Sequence, residues 1–198
     1  VVFPILRDYA ERQFNRVLTT DQLRKDILEN TSTLTLKDWT LDLTLRGKLF
    51  DETNAYLQTY NPFGAGGDII PRQQTDLLVN LLQDVNPRLV LLTGVAGSGK
   101  SGVVRGLIDR LRKLDIPHLA FRVDHHLDHD SPQEIGQALT GRAESPIVTL
   151  KGLNPERTSV LIIDQVDAVS EVSGRNGKVK APLLRMIRDA QNWDTLRL

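Results

Sequence analysis

Three glycines, a lysine and a serine stand at fixed spacing in Gly94-Val95-Ala96-Gly97-Ser98-Gly99-Lys100-Ser101, between two apolar patterns of different period. Before them, Leu89-Val90-Leu91-Leu92 is a continuous apolar run, which predicts a strand buried on both faces. After them, Val103, Val104, Leu107, Ile108 and Leu111 recur at helical spacing and predict a helix over 100–114. Strand, glycine loop and helix in that order match the spacing G-x-x-x-x-G-K-[ST] of a loop that cradles phosphates. The glycines permit torsions and close approaches that a side chain would obstruct. Successive backbone N–H groups then converge at the helix N-terminus, where a β-phosphate can be held. Lys100 is expected to reach the β- and γ-phosphates, and the Ser101 hydroxyl to bind Mg²⁺, with Gly102 beside them.

A site of this kind needs a carboxylate at the end of a neighbouring strand to hold the magnesium shell. Val160-Leu161-Ile162-Ile163-Asp164 supplies one, and an aspartate ending an apolar strand is costly to desolvate unless a cation is near. Asp167, three residues on, is a candidate to orient or activate an attacking water. The residue after Asp164 is Gln165, which cannot accept a proton, so slow turnover is expected.

The rest of the pattern is alternating. Helices are predicted over 72–84, with Leu77, Leu78, Leu81 and Leu82 on one stripe, over 132–140 and over Lys180 to Gln191; His118–Val123 and Val160–Ile163 read as strands. Alternation of this kind predicts an α/β fold, a three-layer parallel sheet with flanking helices and right-handed crossovers. A small, mainly helical segment is expected ahead of it: a helix over 4–18, and a second capped by Asp21 and running through Leu23, Ile27 and Leu28. Trp39, Leu41, Leu43 and Leu45 alternate like a strand, but Thr35-Leu36-Lys37-Asp38 resembles a helix cap and no hairpin partner is evident; the reading adopted is helix. Asn61-Pro62-Phe63-Gly64-Ala65-Gly66-Gly67-Asp68 is the strongest break in the chain, and the domain boundary is placed there: residues 1–62 a helical segment or linker region, 63–198 the nucleotide-binding domain.

Composition excludes several classes. Twenty-five basic residues balance 25 acidic ones in 198, so overall charge gives no argument for a nucleic-acid or anionic-membrane partner. Absence of cysteine excludes disulfides and thiolate metal sites and suits a cytoplasmic protein. No apolar run approaches the roughly 20 residues that cross a bilayer. The chain opens on Val1 rather than Met and stops at Asp194-Thr195-Leu196-Arg197-Leu198, which reads as the start of another buried strand; a piece of a longer protein is expected.

Taken together, Phe63-Gly64, Gly67-Asp68, Ile70-Pro71-Arg72, the Gly94–Ser101 loop and Leu161-Ile162-Ile163-Asp164-Gln165-Val166-Asp167-Ala168 resemble a STAND-class P-loop NTPase of the NACHT-like kind. The resemblance covers roughly residues 63–198. It implies ATP or ADP with Mg²⁺ as cofactors, slow hydrolysis as the nucleotide switch of a larger signalling protein, and self-association through the NTPase domain in that protein. It also implies contacts to the adenine side from Ile70, Pro71 and Arg72. Ser173-Gly174-Arg175 follows the acidic motif in a glycine-bearing loop from which an arginine could approach the γ-phosphate or a neighbouring subunit, and a solvated loop is the plainer expectation there. The family usually carries a further acidic residue where Ala168 stands. Two other readings stay open, a P-loop kinase and a nucleotide-binding module that does not hydrolyse. A GTPase is dropped because no Asn/Thr-Lys-x-Asp motif occurs, and a transport ATPase because no Leu-Ser-Gly-Gly precedes the acidic strand.

Asp124-His125-His126-Leu127-Asp128-His129-Asp130 holds three of the four histidines. Imidazole and carboxylate together suit zinc. A solvated strand-to-helix loop at the sheet edge is the plainer expectation for His125, His126 and His129.

Overall fold

Packing and capping together account for the helices of the computed structural model, which describes residues 9, 11, 17, 19–30, 39–60, 72–84, 87–169 and 178–198, with the backbone alone at 28 and 30. Helix α1 spans Thr20–Asn30, α2 Leu43–Gln58, α3 Gln73–Gln83 and α4 Lys100–Lys113. Strand β1 (His118–Arg122) follows, then a single 3₁₀ turn, α5 (Pro132–Thr140) and α6 (Pro146–Leu153). Strand β2 (Ser159–Asp164), a second 3₁₀ turn (Val166–Val169), α7 (Lys180–Gln191) and β3 (Leu196–Arg197) complete the order.

The architecture is α/β: an open parallel sheet of three strands, ordered β1-β2-β3, with helices on its faces. Val90 N–H donates to the Leu198 carbonyl at 2.7 Å and Leu198 N–H to the Arg88 carbonyl at 2.9 Å. That pattern sets Leu89 opposite Leu198 in a parallel sense, so the 88–90 stretch runs beside β3. The expectation of a strand buried on both faces is corrected here, because Leu89 and Leu91 are 41% and 75% exposed. Among the described residues no strand lies outside them to cover that flank.

Side chains of β2 alternate between two layers. Val160 packs with Val103, Leu107 and Leu111 of α4 and with Leu78 and Leu82 of α3. Leu161 faces the other way, into the larger cluster with Ile135 and Leu139 of α5, Ile147 and Leu150 of α6, and Leu183 and Met186 of α7. On α3 the expected stripe is narrower than the apolar pattern, since Leu77 is 59% exposed while Leu78 and Leu82 are buried. Helix α2 lies along the β1 edge: Leu45 and Leu49 join the larger cluster, and Tyr56 and Leu57 pack with Ile108 and Ala120. Buried Thr53 Oγ1 accepts from the Ala120 N–H at 3.3 Å, filling a donor that an edge strand would leave open.

Local signals explain several boundaries. Both α5 and α6 begin Ser-Pro, and Ser131 and Ser145 accept from the N–H groups of Glu134 and Val148 at 3.2 and 3.3 Å. Helix α6 has no counterpart in the sequence reading, although Ser145-Pro146 repeats the start signal of α5. Asp42 caps α2 by accepting from Leu45 N–H at 2.9 Å, so the helical reading of that stretch holds for Leu43 and Leu45, while Trp39 and Leu41 precede the helix. Helix α1 is capped by Thr19 rather than Asp21. Thr19 N–H donates to Gln22 Oε1 at 3.0 Å and Gln22 N–H to Thr19 Oγ1 at 3.3 Å, a capping box. The Asp21 carboxylate instead accepts from Asp194 N–H at 2.8 Å, which ties α1 to the entry of β3. The expected helix over 4–18 lies almost entirely outside the described residues, as do Thr35–Asp38 and Asn61–Asp68.

Lys151 of α6 is 2% exposed. Its ammonium donates to the carbonyls of Asn154 and Arg157, at 3.0 and 3.2 Å, and to the Thr195 hydroxyl, so it holds the α6–β2 turn against the start of β3. Burial lowers its pKa from the ordinary 10.5 to about 8. Between about 8 and 10.5 the unfolded chain keeps this proton and the folded chain has lost it, so this group makes stability rise with pH in that window. Lys151→Met is expected to flatten that rise, read as unfolding free energy against pH for both proteins; parallel curves would refute the assignment.

Candidate functional site

The Gly94–Ser101 loop leaves the 88–92 stretch at the carboxyl end of the sheet and enters α4 directly. Gly97 and Gly99 have φ of 77° and 89°, the left-handed region that favours glycine. Ser98 N–H donates back to the Val95 carbonyl at 3.2 Å, closing a turn. Lys100 folds inward, its Nζ donating to the Gly94 and Val95 carbonyls at 2.7 and 3.0 Å. Gly99 is the N-cap of α4 and no described side chain caps it. The first N–H groups of an α-helix have no carbonyl within the helix to bond. This end of α4 therefore presents open donors and the positive pole of the helix dipole.

Arg72 stands at the same place. A Cβ built on Gly99 would lie 2.8 Å from Arg72 Nη2 and 2.9 Å from its Cζ, so the guanidinium rests on the loop backbone. Its Nε is buried and has no hydrogen-bond partner among the described residues. Helix α3 aims it: Thr75, one turn in, lies where α3 crosses α4 so closely that a Cβ on Gly106 would sit 2.9 Å from Thr75 Oγ1.

Asp164 ends β2 on the α4 side of the sheet, following the alternation of Val160 and Ile162. Leu89 is opposite Leu198, which continues the pairing of Arg197 with Val160. Carried across the ladder, Asp164 stands level with Leu92, two inter-strand steps or roughly 10 Å away. The loop begins just beyond that point. The carboxylate is already engaged: Oδ2 accepts from the hydroxyls of Tyr56, at 3.0 Å, and Tyr60, and Oδ1 from Gln165 N–H at 2.7 Å. Burial, then the Asp164 charge, raises the Tyr56 phenol; burial and the Asp164 hydrogen bond raise Tyr60. Both hydroxyls stay protonated and are donors.

Gln165 adopts a left-handed φ of 59°, unusual for a residue other than glycine. It turns the chain sharply out of β2 into the 3₁₀ turn that carries Asp167, whose side chain is exposed. Ala168 N–H donates to the Gln165 carbonyl at 3.0 Å and locks that turn. No model of a known protein family matches the chain, and neither does any curated protein or solved structure.

The structure thus brings the loop, Lys100, Ser101 and Arg72 together at one helix end and sets Asp164 across from them on the same face. Ile70, Pro71, Ser173, Gly174 and Arg175 lie outside the described residues. Sequence reasoning missed Tyr56 and Tyr60. Tyr56 lies in the last turn of α2 and Tyr60 just beyond its end, and nothing in that local pattern points to an aspartate more than 100 positions away.

The histidine run does not converge. Arg122 takes both oxygens of Asp124, at 3.0 and 2.8 Å, and holds its carboxyl below the usual range. The His126 ring packs edge-on against Phe121 and His129, with centroids 5.5 and 5.1 Å apart, and burial pushes its pKa down to about 4. Among the described residues no group of three or more histidine, aspartate or glutamate side chains is arranged to hold a metal ion. None of the described helices is long and apolar enough to cross a membrane.

Proposed function

We propose that this chain binds ATP with Mg²⁺ at Gly94–Ser101 and serves as the nucleotide switch of a larger STAND-like signalling protein. One observation carries the reading: a glycine loop wound through left-handed torsions onto a helix N-terminus that no described side chain caps, with Lys100 inside it and beside it the buried Arg72 Nε, which has no partner among the described residues. Phosphate oxygens would satisfy all three kinds of donor at once. On binding, Lys100 exchanges two loop carbonyls for β- and γ-phosphate oxygens.

The donor set also suits magnesium. A carboxylate offers about four acceptor positions; the described residues fill three at Asp164, two on Oδ2 and one on Oδ1. With the Ser101 hydroxyl, Oδ1 would hold the ion or its water shell from the opposite side. A bound Mg²⁺ neutralises the charge shared by the β- and γ-phosphates. Asp167 is the residue left to orient water, and its position on a turn locked behind Gln165 suits slow hydrolysis. Gln165 also favours the reading in which nucleotide is bound and not hydrolysed. The cysteine-free composition fits a cytoplasmic setting, and self-association in the longer protein belongs to the same reading.

Thermal unfolding tests the core of it. At ATP–Mg²⁺ about 100-fold above Kd, binding adds roughly 2.7 kcal/mol, which raises Tm by about 5–10 °C in a chain of this size. An unchanged Tm at saturating ATP–Mg²⁺ would sink the reading.

A further inference from the structure

The carboxylate of Asp164 is held from two elements at once. Tyr56 and Tyr60 come from α2 and its C-terminal turn, and the Gln165 N–H from the exit of β2. Strand β1 supports Tyr60 rather than the carboxylate: the Arg122 guanidinium lies over the Tyr60 ring at 5.8 Å and is itself fixed by both oxygens of Asp124. The two phenol rings meet edge to face, with centroids 5.3 Å apart at 65°. Tyr56 is 4% exposed and packed with Leu57, Ile108 and Ala120, so it cannot swing aside.

We propose that Tyr56 and Tyr60 are positioning residues that orient Asp164 for magnesium by tying down Oδ2 and leaving the acceptor position for the ion on Oδ1. The inference rests on the Mg–ATP reading above and assigns a role to residues that its motifs do not contain. Two phenol donors on one oxygen fix the carboxylate plane, because rotation of the side chain would break both bonds together. Phenol hydroxyls are suited to this, since a carboxylate can only accept and a protonated phenol can donate without adding charge. Outer partners of a ligating carboxylate typically govern about 10–100-fold in metal affinity. Simple competition, in which the tyrosines block the ion, fits less well: both bond Oδ2, and neither takes the second oxygen.

The test is calorimetric titration of the full chain with ATP, once with Mg²⁺ and once with EDTA, for wild type, Tyr56→Phe, Tyr60→Phe and the double variant. Each single variant is expected to lose roughly tenfold or more of the magnesium-dependent gain in ATP affinity, with the EDTA value unchanged. A purely structural role would move both values or neither. Tyr60 sits beyond the end of α2 and keeps its ring in the variant, so Tyr60→Phe decides the matter if Tyr56→Phe fails to fold. The proposal is overturned if the variants keep the wild-type magnesium dependence, or if Tyr60→Phe binds Mg–ATP more tightly, which would make the tyrosines competitors. ATP binding by wild type with no magnesium dependence would also overturn it while sparing the loop assignment. No ATP binding by wild type at all would remove the parent reading as well.

Discussion

Lys100→Ala is expected to erase nearly all of the rise in melting temperature expected of the wild-type chain with ATP–Mg²⁺. Removing one partner of a charged, phosphate-facing contact costs about 2–5 kcal/mol, so a loss near 3 kcal/mol weakens binding by roughly two orders of magnitude. Nucleotide set at about 100 times the wild-type Kd then stands near the variant's Kd. The stabilisation falls from about 2.7 to about 0.4 kcal/mol, and a shift of about 5–10 °C shrinks to roughly 1 °C. The free protein should still fold, with a modest loss of stability that the nucleotide-free melting temperature of each protein reads directly. Its Nζ contacts are two exposed carbonyls of the loop itself, and such bonds contribute about 0.5–1.5 kcal/mol each at most. A full shift in the variant would mean that ATP binds elsewhere or that the loop does not depend on its lysine. Measuring Lys100→Ala and wild type at the same nucleotide concentration separates these outcomes from a general loss of fold.

What the sequence made legible, and what it hid, divides along the range of the forces involved. Helices α4, α5 and α7 and strands β1 and β2 carry their own periodicity, so apolar spacing located them nearly to the residue. The Asp194–Leu198 stretch, expected as the start of a buried strand, contains β3. The glycine loop was legible because its demands are local: positive φ at Gly97 and Gly99, and a lysine one residue later. Helix α6 escaped because its eight residues are too few to show a period. Thr19 was overlooked as a cap because Asp21 looked better by residue type; the capping box depends on Gln22 three residues on. The exposed faces of Leu89 and Leu91 could not be foreseen from composition, because burial there depends on whether another strand follows in space. The hardest part was the surroundings of Asp164. Its tyrosine partners lie in α2 and just past its C-terminal end, on the far side of the expected domain boundary, and only packing of α2 against the β1 edge brings them in.

Gly136→Ala should be strongly destabilising, although it adds a single methyl group. Gly136 lies on α5 where that helix meets the start of α6, and an added Cβ would fall 1.7 Å from the Glu144 carbonyl oxygen and 2.8 Å from its carbon. A flexible side chain could move out of the way, but here the obstacle is backbone. That backbone is pinned on one side by Ser145, which caps α6 through Val148 N–H, and on the other by Gly141, which ends α5 with a φ of 73°. Relief requires α5 and α6 to separate, which would open the cluster of Ile135, Leu139, Ile147 and Leu150 beneath Leu161 of β2. Overpacking of this kind costs about 1–3 kcal/mol and occasionally more, and a clash with backbone belongs at the upper end, a fall in Tm of roughly 6–12 °C. Gly47→Ala is the matched control. Gly47 is an exposed helical residue of α2 with nothing within 4 Å of a built Cβ, so alanine there should stabilise by about 0.5–1 kcal/mol through helix propensity alone. Opposite signs for one and the same substitution would establish that α5 and α6 cross at backbone contact. Equal, small effects at both positions would mean that they do not, and the layer that supports β2, and with it the placement of Asp164, would have to be redrawn.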